Sequence, residues 1–281
     1  MGKFDGYLLV SDLDGTLLNR ASRVPASNAR AISYFVKNGG KFSIATGRTE
    51  LTCLPLVKKL PINAPLILYN GSLIYDLADR KQIWTNFLDR GVAEQIVKLV
   101  LAKFPRFCVE IYGGGPVCLV NPNGIMDEQI IKEKQPYQLA ELRAFPAPWL
   151  KIVFAAPNSE LQELARFLAE NLLFNIRQMF SGPNYYEILP PNSSKGICLE
   201  NLMTITGISR SKVIAIGDYY NDLDLIVKAG MGVTVANAPE EIKARAALTV
   251  CDNNDGAVAE LIRYLDAVIA AEEEPFQEAL P

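Results

Sequence analysis

Short apolar runs alternate with amphipathic stretches at both ends of this chain, and that alternation limits the fold more than any other feature. Residues 7–10, 42–45 and 66–69 read as buried strands in the first part, and 213–216, 232–235 and 248–250 in the last. Residues 25–38 lie between two of them, with Ile32, Phe35 and Val36 at helical spacing, and stop at Gly39-Gly40. Ser194 opens a helix with Lys195 in its first turn, Pro239 with Glu240 and Glu241 marks another start, and a last helix runs over 257–271. Strands and helices in this rhythm build a mostly parallel sheet covered on both faces. The expected class is α/β, a Rossmann-like three-layer core.

The rhythm breaks near Asp79 and returns after Pro190-Pro191. A helix pattern over 90–104 precedes a hairpin, 107–112 and 117–120, around Gly113-Gly114-Gly115-Pro116. That glycine run matches neither a Walker loop nor GxGxxG and reads as a turn. Residues 151–155 form a strand, and Ser159 with Gln162 forms a capping box opening a helix through Leu172. Residues 174–180 and 185–189 supply two further strands, while 121–148 is polar, proline-containing and without a readable period. This block is expected to be an inserted α+β unit, residues 80–189, in a core made of 1–79 and 190–281.

Composition removes several classes of function. The chain has 281 residues, is 49% hydrophobic and carries a net charge of −3, which suits a soluble globular protein without a polyanion partner. No apolar run approaches the ~20 residues of a membrane span, and Lys3 and Asp5 precede only a short apolar run, unlike a secretory leader. The acidic segment after Glu272, broken by Pro275, is expected to be mobile. The five cysteines form no Cys-x-x-Cys pair, so neither zinc nor a disulfide framework is indicated, and the reducing cytoplasm fits. There is no histidine, which excludes an imidazole base. Acid–base work therefore falls to carboxylates or lysine.

Four places share one address. Asp12 and Asp14 follow the first strand, Thr46 the second, and Asp218 the strand at 213–216. In an open parallel sheet the carboxyl ends of the strands lie at one edge, where ligands bind. Asp222 joins them if a helical turn begins after Asp218. Up to four carboxylates so close together need a counter-charge, and a hard divalent cation with oxygen ligands, Mg2+ beside phosphates, supplies one. Thr46 and the unobstructed N–H of Gly47 suit a phosphate oxygen at a helix start. Lys195 opposes the dipole of its own helix, which makes sense with an anion in front of it; a solvated lysine is the other reading.

These motifs resemble those of haloacid dehalogenase-like (HAD) phosphohydrolases, of the Cof type with an inserted α/β cap. They are Asp12-Leu13-Asp14-Gly15-Thr16, Ala45-Thr46-Gly47-Arg48, Ser194-Lys195-Gly196 and Gly217-Asp218-Tyr219-Tyr220-Asn221-Asp222, with Asn237-Ala238-Pro239 and Asp255-Gly256 behind them. Tyr219 departs from the smaller or polar residue common in relatives. The resemblance implies Asp12 as nucleophile, forming an aspartyl-phosphate, and Asp14 as general acid and base. It implies Mg2+ on Asp12, the Asp14 carbonyl and Asp218, with Asp222 in support. Thr46, Gly47, Lys195, Asn221 and the N–H of Leu13 would cradle the phosphoryl oxygens, and Arg48 would orient its loop. Trp149, Tyr185, Tyr186 and Glu187 in the cap face either substrate or cap packing. The activity expected is a phosphatase of small phosphorylated metabolites, sugar phosphates among them. A phosphomutase of the same superfamily and a non-catalytic phosphate-binding regulator are the alternatives. The sequence is silent on oligomeric state.

Overall fold

The structure is a computed structural model, and it describes residues 2–145, 148–171 and 174–273. The first part of the chain runs β1 (Leu8–Ser11), α1 (Ala26–Lys37), β2 (Lys41–Ile44), α2 (Glu50–Val57), β3 (Leu66–Leu68), β4 (Leu73–Asp76) and β5 (Lys81–Thr85). The middle continues through α3 (Arg90–Lys103), β6 (Cys108–Tyr112), β7 (Val117–Val120), α4 (Gly124–Glu133), β8 (Tyr137–Leu139), β9 (Lys151–Ala155), α5 (Asn158–Asn171), β10 (Arg177–Gly182) and β11 (Tyr185–Leu189). The last part holds α6 (Lys195–Thr206), β12 (Val213–Gly217), α7 (Leu223–Lys228), β13 (Met231–Val235), α8 (Glu240–Lys243), β14 (Leu248–Val250) and α9 (Ala257–Glu273).

The core sheet has the order β14-β13-β12-β1-β2, and every pairing in it is parallel. Alternation along β1 shows the three layers. Leu9 packs with Ile32 and Phe35 of α1 and with Val258, Leu261 and Ile262 of α9. Leu8 and Val10 pack on the other face with Cys198, Leu199 and Leu202 of α6 and Leu225 of α7. Both faces are dry, so these strands read as unbroken apolar runs. Each such side chain contributes roughly 1.5–3 kcal/mol by leaving water.

β3 differs from its sequence reading. It ends at Leu68, because Tyr69 and Asn70 turn into the left-handed region at φ 52° and 53°. A single parallel bridge, Ala45 to Ile67, joins it to β2, and its full pairing is antiparallel, in the sheet β3-β4-β5. Asp79 lies in the turn between β4 and β5, and Ile83 and Trp84 of β5 pack against the α6 side of the core.

The chain then enters a six-stranded mixed sheet, β10-β11-β9-β6-β7-β8, the inserted cap. All its pairings are antiparallel except β7 with β8. One face packs Val109, Ile111, Ile152, Phe154 and Ile188 against α3 and α5. The alternate residues, Tyr112, Val153, Tyr185 and their neighbours, join the core's cluster, with Ile130 of α4 among them. Residues 121–148, unreadable by period, supply α4 and the rim strand β8. Helix α5 starts at Asn158, so Ser159 sits inside its first turn and not at a capping box. The carbonyl of Pro157 already accepts from Glu160 and Leu161 at 3.0 and 3.1 Å and starts the helix earlier. Leu172 and the acidic tail beyond Glu273 lie outside the described residues. The strand expected from 174 begins only at Arg177. No disulfide joins any of the five cysteines, and four of them are buried. Among the described residues no helix is long and apolar enough to cross a membrane.

The inner face of the cap sheet carries a buried acid. Glu110 accepts from the Tyr112 hydroxyl at 2.6 Å through Oε2, while Oε1 has no hydrogen-bond partner among the described residues. Burial pushes Glu110 up to about 7 from an ordinary 4.5, against the Tyr112 hydrogen bond and the Lys151 charge, which pull it down. Between these values the unfolded chain ionises while the folded one keeps the proton, so stability falls as pH rises from about 4.5 to about 7. Glu110→Gln removes that slope and is expected to exceed the wild type at pH 8 by on the order of 1–3 kcal/mol. Urea titrations at pH 5 and pH 8 check this; the same pH dependence in both proteins would show that Glu110 does not cause it.

Candidate active site

The carboxylates meet where β1 and β12 end side by side. Asp12 follows β1 directly, and its N–H bonds to the Ile216 carbonyl at 2.9 Å. Two glycines make the room. A Cβ on Gly15, which sits at φ 81°, would lie 2.3 Å from Oδ2 of Asp218, and one on Gly217 would lie 2.4 Å from Cβ of Asp222. After Asp218 the chain makes a 3-10 turn, Tyr220–Asp222, before α7. Oδ2 of Asp222 accepts the N–H groups of Asp218 and Tyr219 at 3.1 and 3.3 Å, which fixes the turn and brings the second acid back beside the first. Thr16 donates to Asp218 at 3.2 Å.

Lys195 ties this cluster together. Ser194 caps α6 by accepting from Ile197 at 3.0 Å, so the lysine leaves the first helical position and points into the carboxylates. Its Nζ lies 2.7 Å from Asp12 Oδ1 and 2.6 Å from Asp222 Oδ1, and the side chain is 1% exposed. The solvated reading of Lys195 is therefore excluded. Burial works against its charge, but Asp12 and Asp222 more than offset that and hold it above the ordinary lysine range.

One ammonium faces three carboxylates. Burial, followed by the neighbouring Asp222, raises Asp12 well above the usual range, and the same two causes push Asp218 up to about 7. Ligand oxygens of Asp12, Asp218 and Asp222 all lie within 4.8 Å of one another. Hard oxygen donors in an over-negative, buried cluster fit a divalent cation such as Mg2+. Asp14 stands apart: Arg48 grips both its oxygens, at 2.6 and 2.8 Å, and reaches Glu133 of α4 at 3.2 Å.

A cavity of about 470 Å3 opens above the cluster. The core contributes Asp12, Asp14, Thr46, Gly47, Asn70, Asp218, Asn221 and Asp222 to its walls. The cap contributes Lys132, Glu133, Lys151, Tyr185, Glu187 and the hairpin 181–183. Two of the site residues picked from the sequence are not wall residues: Lys195 lies beneath Asp12, and the Leu13 side chain is buried in the core. Of the four cap residues singled out, Tyr185 and Glu187 line the cavity. Trp149 and Tyr186 are buried within the cap, Trp149 under Arg90 and Tyr186 bonded to Gln178.

Several wall features escaped the sequence reading, among them Lys151, the Asn70 side chain, the Arg48–Asp14 pair, Lys132, Glu133 and the hairpin 181–183. The first had a signal. Glu110, Lys151 and Glu187 are charges inside otherwise apolar strands, and such charges fall on a face that is buried but not dry.

A family model for haloacid dehalogenase-like hydrolases matches residues 9–262. The chain belongs to that family. Its motifs place it among the Cof-like phosphohydrolases of the superfamily. It is 30% identical to the 5-amino-6-(5-phospho-D-ribitylamino)uracil phosphatase of Bacillus subtilis, across 90% of this chain and 96% of that protein. It is 26% identical to the pyridoxal phosphate phosphatase of Escherichia coli, across 91% and 97%. A haloacid dehalogenase-like hydrolase from Bacteroides thetaiotaomicron superposes with a TM-score of 0.83 at 26% identity, covering 92% of this chain and 99% of that one.

Proposed function

We propose that this phosphohydrolase cleaves small phosphorylated metabolites, sugar phosphates among them, in two steps through an aspartyl-phosphate on Asp12. The convergence of Asp12, Asp218 and Asp222 within 4.8 Å beneath a covered cavity carries the reading. In it, Asp12 attacks phosphorus, and one difficult displacement becomes two easier ones. Lys195 holds one Asp12 oxygen and so fixes the rotation of the nucleophile. Asp14 gives a proton to the departing alkoxide and takes one from the water that cleaves the acyl phosphate. Each of its oxygens accepts one bond from Arg48 here, which fixes the carboxylate and leaves each oxygen a second lone pair for the proton. Asp12, the Asp14 carbonyl, Asp218 and Asp222 would hold Mg2+, which would offset the repulsion between two anions as they meet. Thr46, Gly47, Asn221, Lys195 and the N–H of Leu13 bind the phosphoryl oxygens.

The cap of this reading is the unit expected over 80–189, on a core of 1–79 and 190–281, with β5 at its start counted with the core. The pairing of β5 with β4 supports a crossover after Thr85. The leaving group occupies the cap side of the cavity, where Tyr185, Lys151 and Glu187 offer an aromatic face and charges. Five cysteines without a disulfide support residence in the reducing cytoplasm.

With p-nitrophenyl phosphate and Mg2+ the protein is expected to release phosphate, to stop with excess EDTA, and to resume when Mg2+ is restored. A phosphomutase would keep the phosphoryl group and release little. No release in Mg2+ would remove the phosphatase and leave the phosphomutase and the phosphate-binding regulator.

A further inference from the structure

On the inner face of the cap sheet, Lys151 opens β9 and Glu187 lies in the middle of β11. Their side chains form an ion pair at 2.9 Å, with exposures of 5% and 4%. Each also reaches across to the core. Lys151 Nζ donates to the carbonyl of Gly47 at 3.0 Å and lies 4.7 Å from the centre of the Tyr112 ring. The ammonium thus has two hydrogen-bond acceptors and an aromatic face beside it. Glu187 Oε2 accepts from Asn70 Nδ2 at 2.8 Å, and Asn70 Oδ1 accepts from Asn221 Nδ2 at 3.2 Å.

The core residues so contacted belong to the phosphate pocket. Gly47 is next to Thr46, and a Cβ on Gly47 would lie 2.8 Å from Asn70 Nδ2, so loop and asparagine are in direct contact. Asn70 is the middle of three successive left-handed residues, Tyr69, Asn70 and Gly71, at φ 52°, 53° and 92°. A non-glycine residue keeps such a conformation only where its surroundings over-determine it. The core ties the backbone of this turn, with Tyr69 N–H on the Arg48 carbonyl at 3.1 Å, Asn70 N–H on the Thr46 carbonyl at 3.0 Å and Gly71 N–H on the Leu68 carbonyl at 3.0 Å. The cap holds the Asn70 side chain, through Glu187.

A buried ion pair is a poor source of net stability, because desolvation consumes the attraction. Apolar side chains could cover this ground. They could not hold a carbonyl and an amide on the opposite domain. We propose that Lys151 and Glu187 are positioning residues: a latch by which the cap, once down, sets Gly47 and, through Asn70, Asn221 for the phosphoryl group. The latch rests on the phosphatase reading for the role of those two residues. It makes phosphate affinity depend on cap side chains that need not touch the phosphate.

The test is calorimetric binding of inorganic phosphate, which has no leaving group, to the full chain in Mg2+. Glu187→Gln keeps the shape but sets a donor against either Lys151 or Asn70. It is expected to weaken phosphate about tenfold, a usual size for coupling between sites. Lys151→Met alone leaves a buried carboxylate unpaired and lowers the melting temperature. The double variant Lys151→Met/Glu187→Leu leaves no orphan charge and is expected to melt close to the wild type, yet to bind phosphate as weakly as Glu187→Gln. Wild-type phosphate affinity in a folded double variant overturns the latch and leaves the pair structural or a contact of the leaving group. If the double variant does not fold, Glu187→Gln decides by the same measurement. A wild type that binds phosphate but never hydrolyses p-nitrophenyl phosphate removes the phosphatase reading and leaves the latch measurable.

Discussion

Asp12→Asn is expected to lose turnover by on the order of 10^4-fold or more, as when other enzymes lose a nucleophile. The amide is nearly isosteric, still accepts from Lys195 through its oxygen, and is a far poorer nucleophile than the carboxylate. It also removes one negative charge from a cluster in which burial and Asp222 already push Asp12 up. The folded state therefore has no reason to weaken, and a melting temperature equal to or above that of the wild type is expected. Phosphate release and a thermal melt on one preparation separate the two effects. Activity within tenfold of the wild type would sink the covalent mechanism. A lost fold would show that the carboxylate holds the site together.

Lys195→Met is expected to do the reverse to stability. It leaves Asp12 and Asp222 buried, at 4% and 1% exposure, without their shared cation. Breaking a buried pair in this way costs about 3–5 kcal/mol. For a chain of this size that is a fall of roughly 6–20 °C in melting temperature. Millimolar Mg2+ is expected to recover part of it, because a cation that binds only the folded cluster adds stability by mass action. Orthovanadate affinity should fall as well, and calorimetry on the Mg2+-loaded variant checks that. An unchanged melting temperature would mean that the carboxylates relax into water when the lysine goes.

The sequence made the carboxylate edge legible because each acid follows an apolar run directly. Strand ends in a parallel sheet collect at one rim whatever the distance along the chain. Lys195 was legible as an oddity, a cation at the wrong end of a helix dipole. The latch was not. Whether Lys151 and Glu187 face the core or the outer helices depends on the register of β9 and β11 with their neighbours, and a shift of one residue would turn them over. The pairing of Asp14 with Arg48 was hidden for a different reason: both residues were assigned to separate motifs, and only the close approach of the two loops joins them. Helix α4 escaped because 121–148 lacks a clear apolar stripe. Ser159 misled because Pro157 starts the helix before it.

The neighbours of β1 are made at very different times. Lys41 of β2, the partner of Leu8 on one edge, follows it by 33 residues, whereas Val213 of β12, on the opposite edge, lies about 200 residues later. At ordinary translation speeds, a ribosome needs on the order of 10–40 s to deliver it. For that interval the nascent polypeptide carries an apolar ribbon with one open side, a template for pairing with the wrong neighbour. The segment to shield during expression is therefore the one that leads into Asp12.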